Sequence, residues 1–335
     1  MTDRAAALTA FLTRCGWAAA ARAPLPGDAS FRRYVRLRRA GETAMLMDAP
    51  PPHEDVRPYL VVARLLQTLG YSAPGILAED VAHGFLLLED FGDRTYTRAL
   101  HDGVSEATLY ERAVDLLIDL HRQPLAGRLD ALPAYDDALL SRELAIFTDW
   151  WARLALAPDP RFAAEYDTHW QRLLGAVRAG PETLVLRDYH VDNLMMLDRP
   201  GLAGVGLLDF QDAVRGPVAY DLVSLVNDAR RDVPPTLAQA LIVRYRAAFP
   251  ALDRARFDAA CAILSAQRNL KIIGIFTRLA ARDGKPGYLM HIPRVWRLLE
   301  SDLRHPALAE LRAWLDARVP AARRGVPQIE PVAST

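Results

Sequence analysis

Between residues 184 and 210 the chain twice runs a short apolar stretch into a polar turn that carries an aspartate. Leu184-Val185-Leu186 leads into Arg187-Asp188, and Asn193 stands five positions beyond that aspartate. Val205-Gly206-Leu207-Leu208 then leads into Asp209-Phe210. Strands that each deliver an oxygen donor into a loop suit phosphoryl transfer. One carboxylate must accept or orient the proton of an attacking hydroxyl, and further oxygen ligands must hold magnesium on the phosphates. Asp188 fits the first role; the Asn193 side-chain carbonyl and the Asp209 carboxylate fit the second. Taken singly, each aspartate reads equally well as a turn residue bonded to nearby backbone. The ordered spacing sets the three apart.

Around this segment the periodicity changes along the chain. Residues 3–15 have helical spacing (Ala6, Leu8, Phe11, Leu12), with Thr2 placed to cap them. Gly27-Asp28-Ala29 reads as a turn before an extended run over 31–37, and 43–47 suits another strand. A helix over 55–69 and an apolar run over 84–88 complete a strand-rich first part. Beyond Gly92 helices dominate: one opening at Ser105 and running to His121, others over 138–155 and 161–178, then a long helical stretch from Val218 to about 317. Brief strands return at 184–186, 194–196 and 205–208. The expectation is an α+β, bilobal, protein-kinase-like fold: a small β-rich N-lobe over 1–90, a larger α-helical C-lobe over 91–320, and a mobile tail over 321–335, where no apolar periodicity remains.

Composition narrows the setting. Lys+Arg and Asp+Glu balance at 41 each, so no net field draws the molecule toward nucleic acid or an anionic membrane. No apolar run approaches the ~20 residues that span a bilayer, and the N-terminus is interrupted by Arg14 rather than built as a signal peptide. Cys15 and Cys261 lie far apart and read as free thiols. The reading is of a soluble cytoplasmic protein with neither nucleic acid nor membrane as partner. Its only lysines are Lys271 and Lys285, so nothing in the first 270 residues can act as a lysine.

The segment Leu186-Arg187-Asp188-Tyr189-His190-Val191-Asp192-Asn193 resembles the catalytic loop of the aminoglycoside phosphotransferase and choline kinase family. Leu207-Leu208-Asp209-Phe210-Gln211-Asp212-Ala213, with Gly216-Pro217 and Asp221-Leu222 after it, is similar to that family's metal motif. Leu120-His121 is similar to its helix end, and Phe85 to Gly92 to its interlobe hinge. Gly27 to Tyr34, Met47-Asp48-Ala49-Pro50-Pro51, Gln267 to Lys271 and Tyr288 to Trp296 resemble one bacterial subgroup, the anomeric N-acetylmuramate/N-acetylglucosamine kinases of peptidoglycan recycling. The resemblance implies ATP and Mg2+ as cofactors, a small sugar as substrate, and phosphorylation of its C1 hydroxyl. It implies phosphate contacts from the turn Asp28, Ala29, Ser30, Phe31, and adenine contacts from the backbone of Leu88, Glu89 and Asp90.

Two departures from the wider kinase pattern stand out. Leu186 occupies the place of a scaffold histidine, where an apolar side chain can pack instead. More consequentially, the strand that carries the phosphate-binding lysine in kinases reads Ala44-Met45-Leu46-Met47 here. Arginine is the remaining cation, and Arg32 or Arg33 follows the turn directly. Strand alternation turns one of the pair inward and the other to solvent, and Arg32 is the choice. Glu54 or Asp55 would pair with an arginine or simply cap the first-lobe helix, and capping is favoured. Asp221 reads as a brace for the catalytic loop. For the sugar, Arg187 beside the base and the pair Arg268 and Lys271, three apart on one helix face, are candidate contacts; a solvated helix face is the alternative for the latter two. Other acceptors on the same fold, such as an aminoglycoside or choline, call for an acidic pocket, to which Asp136, Asp137 and Glu143 would contribute. A nucleotide-binding pseudokinase is the non-catalytic alternative, motivated by the missing lysine and histidine.

Overall fold

The computed structural model describes residues 2–26 and 31–329. Packing divides the chain into two units. The first runs up to Leu116 and includes Val191–Ala213; the second holds Leu117–His190 and the chain from Val214 onward.

In the first unit, β1 (Ala21–Pro24), β2 (Arg33–Arg39), β3 (Glu42–Asp48), β4 (Ile76–Asp80) and β5 (Phe85–Leu88) form an antiparallel sheet in the order β1-β2-β3-β5-β4. The two-residue period of a strand sorts its side chains onto two faces. Leu37, Ala44, Leu46, Phe85 and Leu87 cluster with Trp17 and with Phe11 and Leu12 of helix α1 (Thr2–Arg14). The opposite face carries the cross-strand rows Tyr34, Met47, Leu86 and Arg36, Met45, Leu88. The strand expected over 31–37 starts two residues later because Phe31 is diverted. Its N–H donates to Glu54 Oε1 at 3.0 Å, and its ring stacks on His53 with centroids 4.9 Å apart.

Helix α2 (Arg57–Thr68) begins beside Asp55, whose carboxylate accepts the Arg57 N–H at 2.9 Å, and has Pro58 in its first turn. The same carboxylate pairs with the Arg57 guanidinium at 2.8 Å, while the N-cap residue Val56 makes no side-chain cap bond, so Asp55 meets an arginine rather than acting as the cap alone. Helix α3 (Tyr96–His101) starts at Thr95, whose hydroxyl accepts the Arg98 N–H. The boundary between the units falls within α4 (Glu106–Arg122), where Ser105 accepts the Thr108 N–H at 3.4 Å.

The second unit contains α5 (Asp137–Ile146), α6 (Arg153–Leu156), α7 (Arg161–Arg178), α8 (Tyr220–Val226), α9 (Pro235–Ala247), α10 (Arg254–Asp283), α11 (Ile292–Asp302) and α12 (Ala309–Arg318). Two short ladders join distant segments: β6 (Glu182–Val185) with β9 (Val214–Pro217) in the second unit, and β7 (Leu194–Met196) with β8 (Val205–Leu207) in the first. The 30-residue α10 is capped by Asp253 and ends at Gly284 in the left-handed region.

The single helix expected over 138–155 is instead interrupted by a π-helical stretch, Phe147–Ala152. There α10 passes so close that a Cβ on Gly274 would lie 2.4 Å from the Ile146 carbonyl oxygen. A backbone oxygen cannot yield as a side chain can. Gly274→Ala is therefore expected to lower unfolding free energy by about 2 kcal/mol, read as a reduced urea midpoint at unchanged slope.

The tail expected to be mobile from Ala321 is tied down in its first part. Trp151 Nε1 donates to the Gly325 carbonyl at 2.9 Å, Arg324 pairs with Asp316 at 2.6 Å, and Pro327 is buried. Hydrogen bonds and one buried proline hold a segment without apolar periodicity; residues 330–335 lie outside the described residues. Cys15 and Cys261 are free, and no helix among the described residues is long and apolar enough to cross a membrane.

Candidate active site

The first unit brings two of the three chemically marked residues together. Leu194 pairs with Leu207 across the β7–β8 ladder, and the Leu208 N–H donates to the Asn193 carbonyl at 3.0 Å. Asn193 and Asp209 therefore sit at the same end of one hairpin. Asp209 has φ +57, a left-handed conformation that costs a non-glycine residue energy and clusters at functional turns. Phe210 behind it is buried and stacks on Tyr59 of α2 at 4.9 Å, which fixes the turn. Asp209 is partly exposed and accepts from Gln211 Nε2 at 2.9 Å. Helix α3 supports the preceding loop: the Thr97 hydroxyl bonds Asp192, and the Thr97 N–H donates to the Val191 carbonyl at 3.3 Å.

An amide oxygen and a carboxylate are hard ligands suited to Mg2+, which takes one or two carboxylates and leaves its other positions to phosphates and water. Among the described residues no group of three His, Cys, Asp or Glu side chains could hold a metal by itself. The donor set fits a metal shared with phosphates.

Arg32 lies on the Asp209 side, its Nη2 at 3.5 Å from Asp209 Oδ1, whereas Arg33 is exposed. Met45 and Met47 lie on the sheet face opposite the Trp17 cluster. Arg36, cross-strand from Met45, is buried and held through both terminal nitrogens: it bonds Asp90 at 2.9 Å, Asp93 at 2.8 Å and the Gly92 carbonyl at 2.9 Å. No local pattern marks Arg36, because its acidic partners lie more than fifty residues away.

The hinge residues are similarly placed. Leu88 is buried in the ladder between Met45 and Ile76. The Glu89 N–H donates to the Gly75 carbonyl at 2.7 Å, and its carboxylate pairs with Arg199. The Glu89 N–H is thus already used, and the Asp90 carboxylate serves Arg36. Asp28, Ala29 and Ser30 lie outside the described residues.

In the second unit, β6 delivers Leu186, which is buried, into the turn that carries Arg187 and Asp188. Arg187 has φ +69, and the Asp188 N–H donates to the Leu186 carbonyl at 2.9 Å. Asp221, at the start of α8, accepts the Leu186 N–H at 2.6 Å and the Arg187 N–H at 2.9 Å. Burial raises the Asp221 carboxyl to about 7, although those two N–H groups pull the other way. It braces the loop from beneath, as the sequence suggested. His121 is buried, bonded to the Tyr245 hydroxyl at 2.6 Å, and pushed by burial down to about 3, so it stays neutral.

Beside the loop is a buried polar cluster that only the fold assembles. One oxygen of Glu143, on α5, takes Arg187 and, at 2.7 Å, Lys271 Nζ. The other takes the Tyr135 hydroxyl and, at 3.0 Å, Gln267 Nε2. Burial opposes ionisation of Glu143, but Lys271 and Arg187 hold its carboxyl down to about 2. Lys271 is raised despite its burial by Tyr220 and Glu143 beside it. Arg268 is buried and donates to the Asn227 carbonyl at 3.4 Å.

The acids that would have formed a pocket for a polycation are otherwise employed. Asp136 caps α5, Asp137 pairs with Arg178, and Glu143 is neutralised twice over.

A depressed carboxyl stabilises the fold above its unfolded pKa, and that stability is lost as pH falls through the folded value. Wild type should therefore exceed Glu143→Gln in stability most at pH 7. The gap should shrink by about 3 kcal/mol between pH 4.5 and 2, read from urea midpoints of the two proteins across that range.

A small antiparallel sheet, a helix-rich second unit and two strand-borne aspartate loops define a kinase-like phosphotransferase. The chain belongs to the phosphotransferase enzyme family, whose sequence model matches residues 22–257. It is 40% identical to an N-acetylmuramate/N-acetylglucosamine kinase of Caulobacter vibrioides, over 96% of this chain and 99% of the relative. A kinase of the same name from Pseudomonas aeruginosa is 42% identical over 86% of each chain. Among solved structures, a choline/ethanolamine kinase family protein from Mesorhizobium loti superposes with a TM-score of 0.60 at 19% identity, covering 93% of this chain and 99% of that one. An aminoglycoside 2'-phosphotransferase-IIIa in complex with GDP superposes with a TM-score of 0.60 at 13% identity, covering 89% and 98%. At those identities the structural likeness shows the fold alone.

Proposed function

We propose that this protein transfers the γ-phosphoryl group of ATP to the anomeric C1 hydroxyl of N-acetylmuramate, N-acetylglucosamine or both, in the cytoplasm, as a step of cell-wall recycling. One observation carries the reading. Asp188 directly follows Arg187, a left-handed residue whose N–H is held by Asp221, in a chain about 40% identical over nearly its whole length to an N-acetylmuramate/N-acetylglucosamine kinase.

In this reading Asp188 orients the C1 hydroxyl and takes its proton as the oxygen bonds to the γ-phosphorus and the bond to the β–γ bridging oxygen breaks. Asn193 and Asp209 are the residues that would hold Mg2+, which when bound neutralises the phosphate oxygens. Arg32 supplies the charge that lysine supplies elsewhere. Asp28, Ala29 and Ser30, which lie outside the described residues, are assigned to the phosphates together with Phe31, whose own N–H is held by Glu54, and Leu88 to Asp90 are assigned to the adenine. Arg187, Arg268 and Lys271 serve the sugar, each from a buried or half-buried position.

The test is product NMR after incubation with ATP, Mg2+ and each sugar. Phosphorus coupling at the anomeric proton is the expected result. Phosphorylation at C3 or C6 would overturn the anomeric assignment, and no turnover of either sugar would overturn the acceptor class.

A further inference from the structure

The Glu143 cluster does not balance its own charge. One carboxylate faces two cations, Arg187 and Lys271, and both its oxygens are saturated by four donors. Glu143 alone therefore leaves one positive charge of the two, with Asp188 the further acid that acts on both cations. Lys271 is the member with capacity to spare. Its side chain is 13% exposed, and of its three N–H donors one is used, on Glu143, among the described residues. Gln267, one helical turn before it on α10, is buried with its Oε1 unpartnered while its Nε2 serves the same glutamate. The Gln267 oxygen is enclosed and is an acceptor, so the open donors of the Lys271 ammonium are what suit an anionic ligand. Other charges nearby are Asp188, which acts on both Arg187 and Lys271, and Asp221, which is occupied by two backbone N–H groups.

We propose that Lys271 is the specificity residue for an anionic substituent on the acceptor, a sugar-borne carboxylate. Glu143 is a positioning residue that draws Lys271 and Arg187 together without discharging both. The inference rests on the sugar-kinase reading above and deepens it. N-Acetylmuramate and N-acetylglucosamine differ by a lactyl carboxylate, and the surplus charge distinguishes them. Removing Lys271 leaves Glu143 paired with Arg187, a neutral buried pair, so Lys271→Met deletes the surplus without stranding a carboxylate.

The experiment compares kcat/KM for N-acetylmuramate, its methyl ester and N-acetylglucosamine in wild type, Lys271→Met and Lys271→Arg. A charge-assisted contact predicts that wild type prefers the acid over its ester by roughly 10- to 100-fold. That preference should collapse in Lys271→Met and return in Lys271→Arg. A packing role would lower all three acceptors by one factor and leave the acid-to-ester ratio unchanged, which overturns the proposal. Equal use of acid and ester by wild type overturns it too, and that comparison needs no variant. If wild type phosphorylates none of the three, the sugar-kinase reading itself has failed.

Discussion

Replacing Asp188 with asparagine is expected to lower kcat by roughly 10²- to 10⁴-fold, the range that a positioned general base contributes. Asparagine matches aspartate in size, and the turn is fixed by backbone contacts that the change leaves alone. These are the Asp188 N–H to the Leu186 carbonyl, and the Leu186 and Arg187 N–H groups on Asp221. The fold should therefore persist, with thermal unfolding close to wild type, while sugar-dependent ADP release falls. Nucleotide binding should change little, because the side chain is assigned to the acceptor hydroxyl rather than to the phosphates. Sugar-dependent turnover at the wild-type rate would remove Asp188 from the mechanism. Nucleotide binding without turnover in wild type itself would point to a pseudokinase.

Asp209→Ala is expected to abolish measurable turnover and to erase the magnesium dependence of nucleotide binding. The carboxylate is one of two oxygen donors at the end of the β7–β8 hairpin, and Asn193 alone offers a neutral oxygen that binds Mg2+ weakly. The variant also removes a negative charge 3.5 Å from Arg32, so metal-free nucleotide should bind at least as well as to wild type. Titrating nucleotide with and without Mg2+ separates these effects. A magnesium response as steep as that of wild type would show that the metal is held elsewhere.

Much of this layout is legible in one sequence. The helix over 161–178 follows from its apolar period and appears with those bounds. Ser105 acts as a cap, because capping needs only a hydroxyl three residues ahead of an N–H. The missing lysine is a matter of composition. The break expected at residue 90 marks where strands give way to helices, whereas the units follow packing, and the chain enters the first of them twice.

What the chain determined by itself is local: element periods, caps, and the spacing of Asp188, Asn193 and Asp209. Those signals span a few residues, so backbone geometry and short-range hydrogen bonds suffice to express them. Tertiary structure decided the rest. It turned Arg32 toward Asp209 and Arg33 to solvent, and it filled Arg36 with Asp90 and Asp93. It broke α5 where Gly274 approaches Ile146, and it gathered Tyr135, Glu143, Arg187, Gln267 and Lys271 into one buried cluster. Each of those depends on partners tens to more than a hundred positions away. A buried charge is tolerable only where such partners arrive, and no local pattern records their arrival.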